Sequence, residues 1–380
     1  MQAPIIAVIA GMIRENPETI SLGQGGVHYG PPKEAVKAMK EYWSNGENHK
    51  YLHVEGIPAL LEVIRSKLSA DNGIKSTKES RVVVTAGSNM GFVNAILAIA
   101  DPGDEIILLS PYYFNHEMAV GLASAKPVVV PAGLDYQPRL DLLSWAVSPR
   151  TRAIVTISPN NPTGAVYSQE TLRGVNDLCR KRGIYHISDE AYEYFTYDGA
   201  RHFSPGSIEG AAHHTISLFS LSKSYGFASW RVGYMVIPEH LGEAVRKIQD
   251  TILICPPGIG QYAALGALKR GPKYVHKQVA GIERVRKLVL DSLRKLGDRV
   301  TVPETRGAFY FLVRVHTDLE DMALVRRLIE QHRVAVIPGA TFGLREGCYL
   351  RVSYGAMTRQ TVVEGIGRLV DGLQALEQHG

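Results

Sequence analysis

Short unbroken apolar runs, separated by stretches with helical spacing, set the texture of the middle of this chain. Runs at 81–86, 105–110, 127–130, 153–158, 183–188, 215–220 and 232–237 are predicted to be strands. They do not alternate apolar with polar, which is the pattern of strands covered on both faces. Stretches at 58–70, 89–100 and 168–182 fall between them and carry helical periodicity. That order predicts an α/β fold, a mostly parallel seven-stranded sheet with helices on both faces. After about residue 271 a long charged helix, 274–296, leads into GAFYFLVRV, VAVIPGATFG and YLRVSYGA, which read as a smaller α+β domain. The expected division is an N-terminal arm with part of the small domain (1–30), a large domain (31–270) and a small C-terminal domain (271–380). No internal repeat or low-complexity segment interrupts it.

Composition narrows the picture. With 45% hydrophobic residues, 380 residues can bury large cores. The 42 basic and 37 acidic side chains nearly balance and form no long basic run, so neither a nucleic-acid partner nor an anionic membrane surface is expected. The opening MQAPIIAVIAGMIRENPETI lacks a basic lead and a small-residue cleavage site, and reads as an amphipathic arm rather than a signal peptide. No apolar stretch approaches the roughly 18 residues of a membrane span. Cys179, Cys255 and Cys348 lie far apart, without metal or redox spacing, as expected of a reduced cytoplasmic protein. His49 and His53 precede the helix expected at Pro58, His213 and His214 abut a loop, and no HExxH occurs, so no metal site is expected.

Candidate chemistry centres on SLSKSYGFASWRVGY, Ser220 to Tyr234. Lys223 is the only charged side chain between Thr215 and Trp230. Apolar surroundings disfavour an ammonium and make a free amine accessible, which Schiff-base chemistry requires. Taken alone, Lys223 reads better as an ordinary lysine whose head reaches water. Arg231 shifts the balance, because its planar fork in another uncharged run suits a phosphate. An amine beside an anion clamp suggests a phosphorylated aldehyde cofactor.

Ser-x-x-Lys-x-x-Gly followed by Trp-Arg-x-Gly-Tyr resembles the pyridoxal-phosphate lysine region of fold type I aminotransferases, the class that includes aspartate and kynurenine aminotransferases. The resemblance runs from the Ser21 loop to Arg351. It implies a fold type I transferase architecture, pyridoxal 5'-phosphate, and transamination between an L-amino acid and a 2-oxo acid through an aldimine on Lys223. It also implies a homodimer with shared active sites.

Each remaining motif has an ordinary reading beside the one the resemblance implies. SLGQGG, Ser21 to Gly26, is a glycine turn, and the resemblance brings the Gly25 amide to the substrate. The residues after it, Val27, His28 and Tyr29, depart from the family's phenylalanine-proline-aspartate. Tyr51 in KYLHVEGIPALLEVI is a packing residue, or the tyrosine that crosses a dimer interface to the neighbour's cofactor phosphate. In VVVTAGSNMGF, Ser88 and Asn89 open a helix whose free N–H groups form a simple cap or a phosphate cradle. Tyr113 in SPYYFNH is an aromatic lid over core, or a ring that stacks on the cofactor. SPNNPTG is a turn, in which the resemblance lets Asn161 donate to the cofactor's phenolic oxygen and contact substrate. Asp189 is a strand-end cap, or the carboxylate that keeps a pyridine nitrogen protonated, with Tyr192 as a second donor to the phenolic oxygen. Ser220 accompanies the lysine in the cofactor site. Arg351 is a packed stem, or the bidentate clamp for the substrate α-carboxylate.

A lyase or synthase on the same scaffold would share these cofactor residues. A cofactor-responsive transcription regulator would need a DNA-binding domain, for which no room is expected before Ser21. A dinucleotide dehydrogenase would need the missing GxGxxG turn. For substrate, aspartate-type members place an arginine just before a Pro-Pro pair, whereas QDTILICPPG has no basic residue from 249 to 260. GQGGVHYGPP, PYYFNHEM and AYEYFTYDG look like enzymes acting on aromatic amino acids and methionine. A neutral donor is therefore expected, with Tyr29 and Tyr113 lining its pocket.

Overall fold

The computed structural model describes residues 5–376, so the first four residues of the expected arm and the last four of the small domain lie outside the described residues. All seven expected strands join one sheet. Their spatial order is Ser80–Thr85, Gly233–Pro238, Thr215–Ser220, Tyr185–Asp189, Thr151–Ile157, Glu105–Ser110 and Lys126–Pro131. Gly233–Pro238 runs antiparallel to both neighbours, and the other pairings are parallel. Unbroken apolar runs form these strands because both faces are covered. On one, Ile106, Leu108, Val155 and Met235 pack with Phe92 and Val120, and on the other, Ile107, Leu109 and Ile154 pack with Leu172 and Val175. Helix Gln169–Arg182 shows how the ends are set: Ser168 accepts from the Thr171 N–H, and Gly183, at φ 66°, closes the C-terminus in the left-handed region.

The smaller unit is a four-stranded antiparallel sheet in the order Ile337–Pro338, Cys348–Ser353, Tyr310–Val315, Val300–Thr301. Its long helix, Pro272–Arg294, starts at a proline after Gly271. VAVIPGATFG, one apolar run in sequence, divides between two sheets: Ile337–Pro338 joins this one, while Val334–Ala335 pairs in parallel with Ile20–Ser21. The N-terminal segment is thereby sewn onto the smaller unit just before the glycine loop. One hydrophobic core runs through both units, from Val84 and Phe219 to Phe311 and Leu350.

Candidate active site

Five chain segments leave the large sheet at the carboxyl ends of their strands and converge on a cavity of about 370 Å³, where open α/β sheets place their ligands. They deliver Ser88 and Asn89, Tyr113, Asn161, Asp189 with Tyr192, and Ser220 with Lys223. The opposite side is closed by the glycine loop, Tyr310 and Arg351 from the smaller unit, and helix Ile5–Glu15.

Lys223 is half-buried, and its Nζ donates to the Gly25 carbonyl. Desolvation, reinforced by the positive charges of Arg351 and Arg231, lowers its pKa to about 8. The amine therefore loses its proton far more readily than a solvated lysine. Beside it, helix Ser88–Ile99 begins at Gly87 with no side chain capping its first turn. The Arg231 guanidinium packs so close to Gly87 that a Cβ there would collide with it. Gly87 itself sits at φ 82°, a conformation that disfavours any other residue. Free N–H groups, the helix dipole, Ser220, Ser222 and an arginine together make an anion site. Arg231 is exposed in the single chain and bonds the Ala228 carbonyl at 2.9 Å.

Across the cavity, Asp189 is buried, accepts from the Ala191 N–H at 3.1 Å and has His116 Nε2 3.1 Å from its other oxygen. His116, on helix Phe114–Leu122, is itself buried and stacked on Phe92 with ring centroids 3.9 Å apart. Tyr192 and Tyr310 share a 2.8 Å hydroxyl hydrogen bond, and burial raises both pKa values, that of Tyr310 to about 12. Both hydroxyls keep their protons and remain donors. Burial likewise raises Tyr113, whose hydroxyl accepts from Asn115 at 2.7 Å. Arg351, fully buried, donates to Asn161 Oδ1 at 2.8 Å and to the Gly23 carbonyl at 2.7 Å, with its guanidinium over the Tyr310 and Phe342 rings. Because Asn161 spends its oxygen on Arg351, its amide nitrogen is left to donate.

Of the residues expected from sequence, the fold brings together Gly25, Ser88, Asn89, Tyr113, Asn161, Asp189, Tyr192, Ser220, Lys223, Arg231 and Arg351. Two stand elsewhere. Tyr29 lies behind the lysine loop, donating to the Lys223 carbonyl at 2.7 Å, rather than in the cavity wall. Tyr51 is 82% exposed and away from the cavity of its own chain. Sequence reasoning missed His116, Tyr310 and the lining side chains of the N-terminal helix. A histidine three residues after Tyr113, one helical turn along, was the available signal for the first.

Pyridoxal 5'-phosphate offers a phosphate, a pyridine nitrogen, a phenolic oxygen and an aldehyde, and the cavity has a chemical partner for each. The uncapped helix with Arg231 suits the phosphate, Asp189 the nitrogen, Tyr192 and Asn161 the oxygen, and Lys223 the aldehyde. Among the described residues, no cluster of three or more potential metal ligands occurs, and no helix is long and apolar enough to cross a membrane.

Comparison with known proteins agrees. The sequence profile of the family "Aminotransferase class I and II" matches residues 17–369. Aromatic aminotransferase ISS1 of Arabidopsis thaliana is 34% identical, over 99% of this chain and 95% of that protein. A probable aspartate/prephenate aminotransferase of Aquifex aeolicus is 36% identical, over 94% and 92% respectively. Among solved structures, a single mutant of Thermus thermophilus aspartate aminotransferase superposes with a TM-score of 0.90 at 30% identity, covering 98% of this chain and 97% of that one. The aromatic aminotransferase from Pyrococcus horikoshii gives 0.89 at 32% identity, covering 96% and 98%. Fold, cavity chemistry and likeness over nearly the whole chain lead to one conclusion: this protein belongs to the class I and II aminotransferases and is a pyridoxal-phosphate-dependent, fold type I enzyme.

Proposed function

We infer that this aminotransferase takes its amino group from an amino acid with a large neutral side chain, an aromatic residue or methionine. The observation that carries this reading is the distribution of charge in the cavity. Its charged lining residues are Lys223, Arg231, Arg351 and Asp189, and the roles proposed below assign each of them to the cofactor or to an α-carboxylate. Away from the strand ends the wall carries no charge: Ile6, Ile9, Ala10, Ile13, Phe114 and Ile337 make it apolar, and the glycine loop adds the neutral Ser21 and Gln24. Among the described lining residues there is no fourth cation to pair a side-chain carboxylate, and burying that charge unpaired is costly.

The residue roles follow the donor chemistry. Arg351 grips the α-carboxylate with two parallel donors. Asp189, backed by His116, holds a proton on the ring nitrogen, and Tyr192 with Asn161 donates to the phenolic oxygen. Ser88, Asn89, Ser220 and Arg231 hold the phosphate, and Tyr113 covers the ring. When bound, the cofactor supplies an electron-withdrawing ring conjugated to the substrate α-carbon. Lys223, with its lowered pKa, would be the base that takes the α-proton and returns it two atoms along, at the carbon that was the cofactor's aldehyde. Gly25 supplies main-chain contact to the substrate.

The exposed Tyr51 and Arg231 support a homodimer in which Tyr51 reaches the partner's phosphate site. The proposed division is an arm with part of the small domain at 1–30, a large cofactor domain at 31–270 and a small domain at 271–380. Three unpaired thiols, two of them buried, suit the cytoplasm. Small-molecule amino and oxo acids are its substrates.

A spectral scan of amino acids tests the substrate reading by following conversion of the bound cofactor to its amine form. Phenylalanine, tyrosine, tryptophan or methionine should give the highest specificity constants. A higher constant for aspartate than for all four would reverse the assignment. Mixing inactive Tyr51 and Lys223 variants should restore activity if sites are shared; no recovery with subunit exchange confirmed would refute sharing.

A further inference from the structure

The segment Asp-Glu-Ala-Tyr-Glu, 189–193, is used on both of its sides. Asp189 and Tyr192 line the cavity, whereas Glu190 and Glu193 point away from it into the protein. Both rear carboxylates are buried, a placement that needs dedicated partners. Glu193 pairs with Lys67 at 2.5 Å, and that lysine is also almost fully buried. Asn72 accepts from Lys67 at 2.7 Å and uses its two N–H groups on Glu193 at 2.8 Å and Ser204 at 2.9 Å. The Ser204 hydroxyl donates in turn to Glu190, whose same oxygen has His202 Nε2 at 2.8 Å.

The relay runs from Lys67 on helix Pro58–Asp71 through to His202, with His202 and Ser204 both on one oxygen of Glu190, whose other oxygen, Oε1, has no hydrogen-bond partner among the described residues. Lys67 and His202 therefore hold the two ends of one turn. The relay also reaches the lysine loop, because Lys67 Nζ lies 4.9 Å from the centroid of Phe219, the residue before Ser220. Phe219 stacks on Tyr234. None of the relay residues lines the cavity.

We propose that Glu190 and Glu193, held by His202, Ser204, Asn72 and Lys67, are positioning residues that fix Asp189 and Tyr192 against the cofactor ring from behind. A carboxylate displaced by a fraction of an ångström holds the ring proton less firmly, so the relay tunes the cofactor without touching it. This inference rests on assigning Asp189 and Tyr192 to the cofactor.

Two variants of the holoenzyme separate positioning from stability. Glu190→Gln keeps the volume and removes the charge. The double variant Lys67→Met with Glu193→Met replaces the buried pair by apolar chains, an exchange that is often neutral for folding. The readouts are the pH midpoint of the bound cofactor's visible band, the cofactor dissociation constant and thermal unfolding of the apo chain. We expect turnover to fall about tenfold with KM nearly unchanged, and the band midpoint to move by roughly half a pH unit or more. Those shifts should persist in whichever variant keeps the parental unfolding temperature. Parental band and dissociation constant in a folded variant would overturn the proposal. If the double variant does not fold, Glu190→Gln and Ser204→Ala decide by the same readouts. A band unmoved by Asp189→Ala would instead remove the cofactor assignment beneath it.

Discussion

The two ends of the cavity are built on different principles. The cofactor end is polar, and its groups sit at the ends of strands in a sheet whose register is fixed by backbone hydrogen bonds. The end proposed for the substrate side chain is uncharged and largely apolar, built from helix Ile5–Glu15, Phe114 and Ile337 beside the glycine loop. At the first end, moving one atom changes the chemistry, because hydrogen bonds are steep in distance and angle. At the second, shape and the absence of charge do the selecting, and hydrophobic contact discriminates by only a few kcal/mol at most. Reaction type therefore resides in the sheet, and substrate choice in the pieces laid over it.

The largest test of that division is Lys223→Ala. It should reduce transamination by about 10⁴-fold or more for every amino donor alike, measured as kcat. A loss confined to particular donors would put the lysine at the wrong end. Next, Asp189→Ala should lower kcat by roughly 10²–10³-fold, again across donors, while the cofactor stays bound through its phosphate contacts. Equilibrium dialysis showing that cofactor is lost in proportion to turnover would contradict it.

At the other end, Ile13→Lys places a cation in the apolar wall. The ratio of specificity constants for aspartate over phenylalanine should rise by about tenfold. Turnover with the better donor should change little. An unchanged ratio would mean that the substrate side chain does not meet this helix. The smallest effect is one of pH. Burial and two arginines hold the Lys223 amine near 8, and only its unprotonated form attacks an aldehyde. Covalent uptake of cofactor by the apo chain should therefore accelerate as pH rises and level off above about pH 8. A rate still climbing toward the midpoint of a solvated lysine near 10.4 would show an unshifted amine.

The same contrast explains what was legible in the sequence. Asn161, Asp189 and Lys223 follow apolar runs directly, so the strand pattern alone places them on one edge of a sheet. Arg351 could be read as an out-of-place charge in an apolar strand. His116 could not be read so easily: its contact with Asp189 depends on how helix Phe114–Leu122 packs on the sheet, which periodicity does not specify. The apolar wall was still less visible. Ile9 and Ile13 have the spacing of any amphipathic helix, and nothing local says that they face a cavity rather than solid core. Tyr29 shows the limit of reading loops. The glycine loop takes its path from the pairing of Ile20–Ser21 with Val334–Ala335, remote in sequence, and that path carries the tyrosine hydroxyl to the Lys223 carbonyl. Nothing local marks the rear carboxylates Glu190 and Glu193 as buried; that depends on how helix Pro58–Asp71 and Ser204 are set against them.

The hydrogen bond from Arg351 to Asn161 joins the smaller sheet to the larger one. If Arg351 holds the substrate α-carboxylate, as proposed above, the carboxylate must share the guanidinium with that bond, and every amino acid presents the same carboxylate. Whatever free energy the exchange releases or consumes is thus common to all donors. It sets how tightly the enzyme holds amino acids as a class and cancels from any ratio between two of them. A variant that loosens the Arg351–Asn161 bridge would shift the whole panel of Michaelis constants together and leave the order of preference among donors intact.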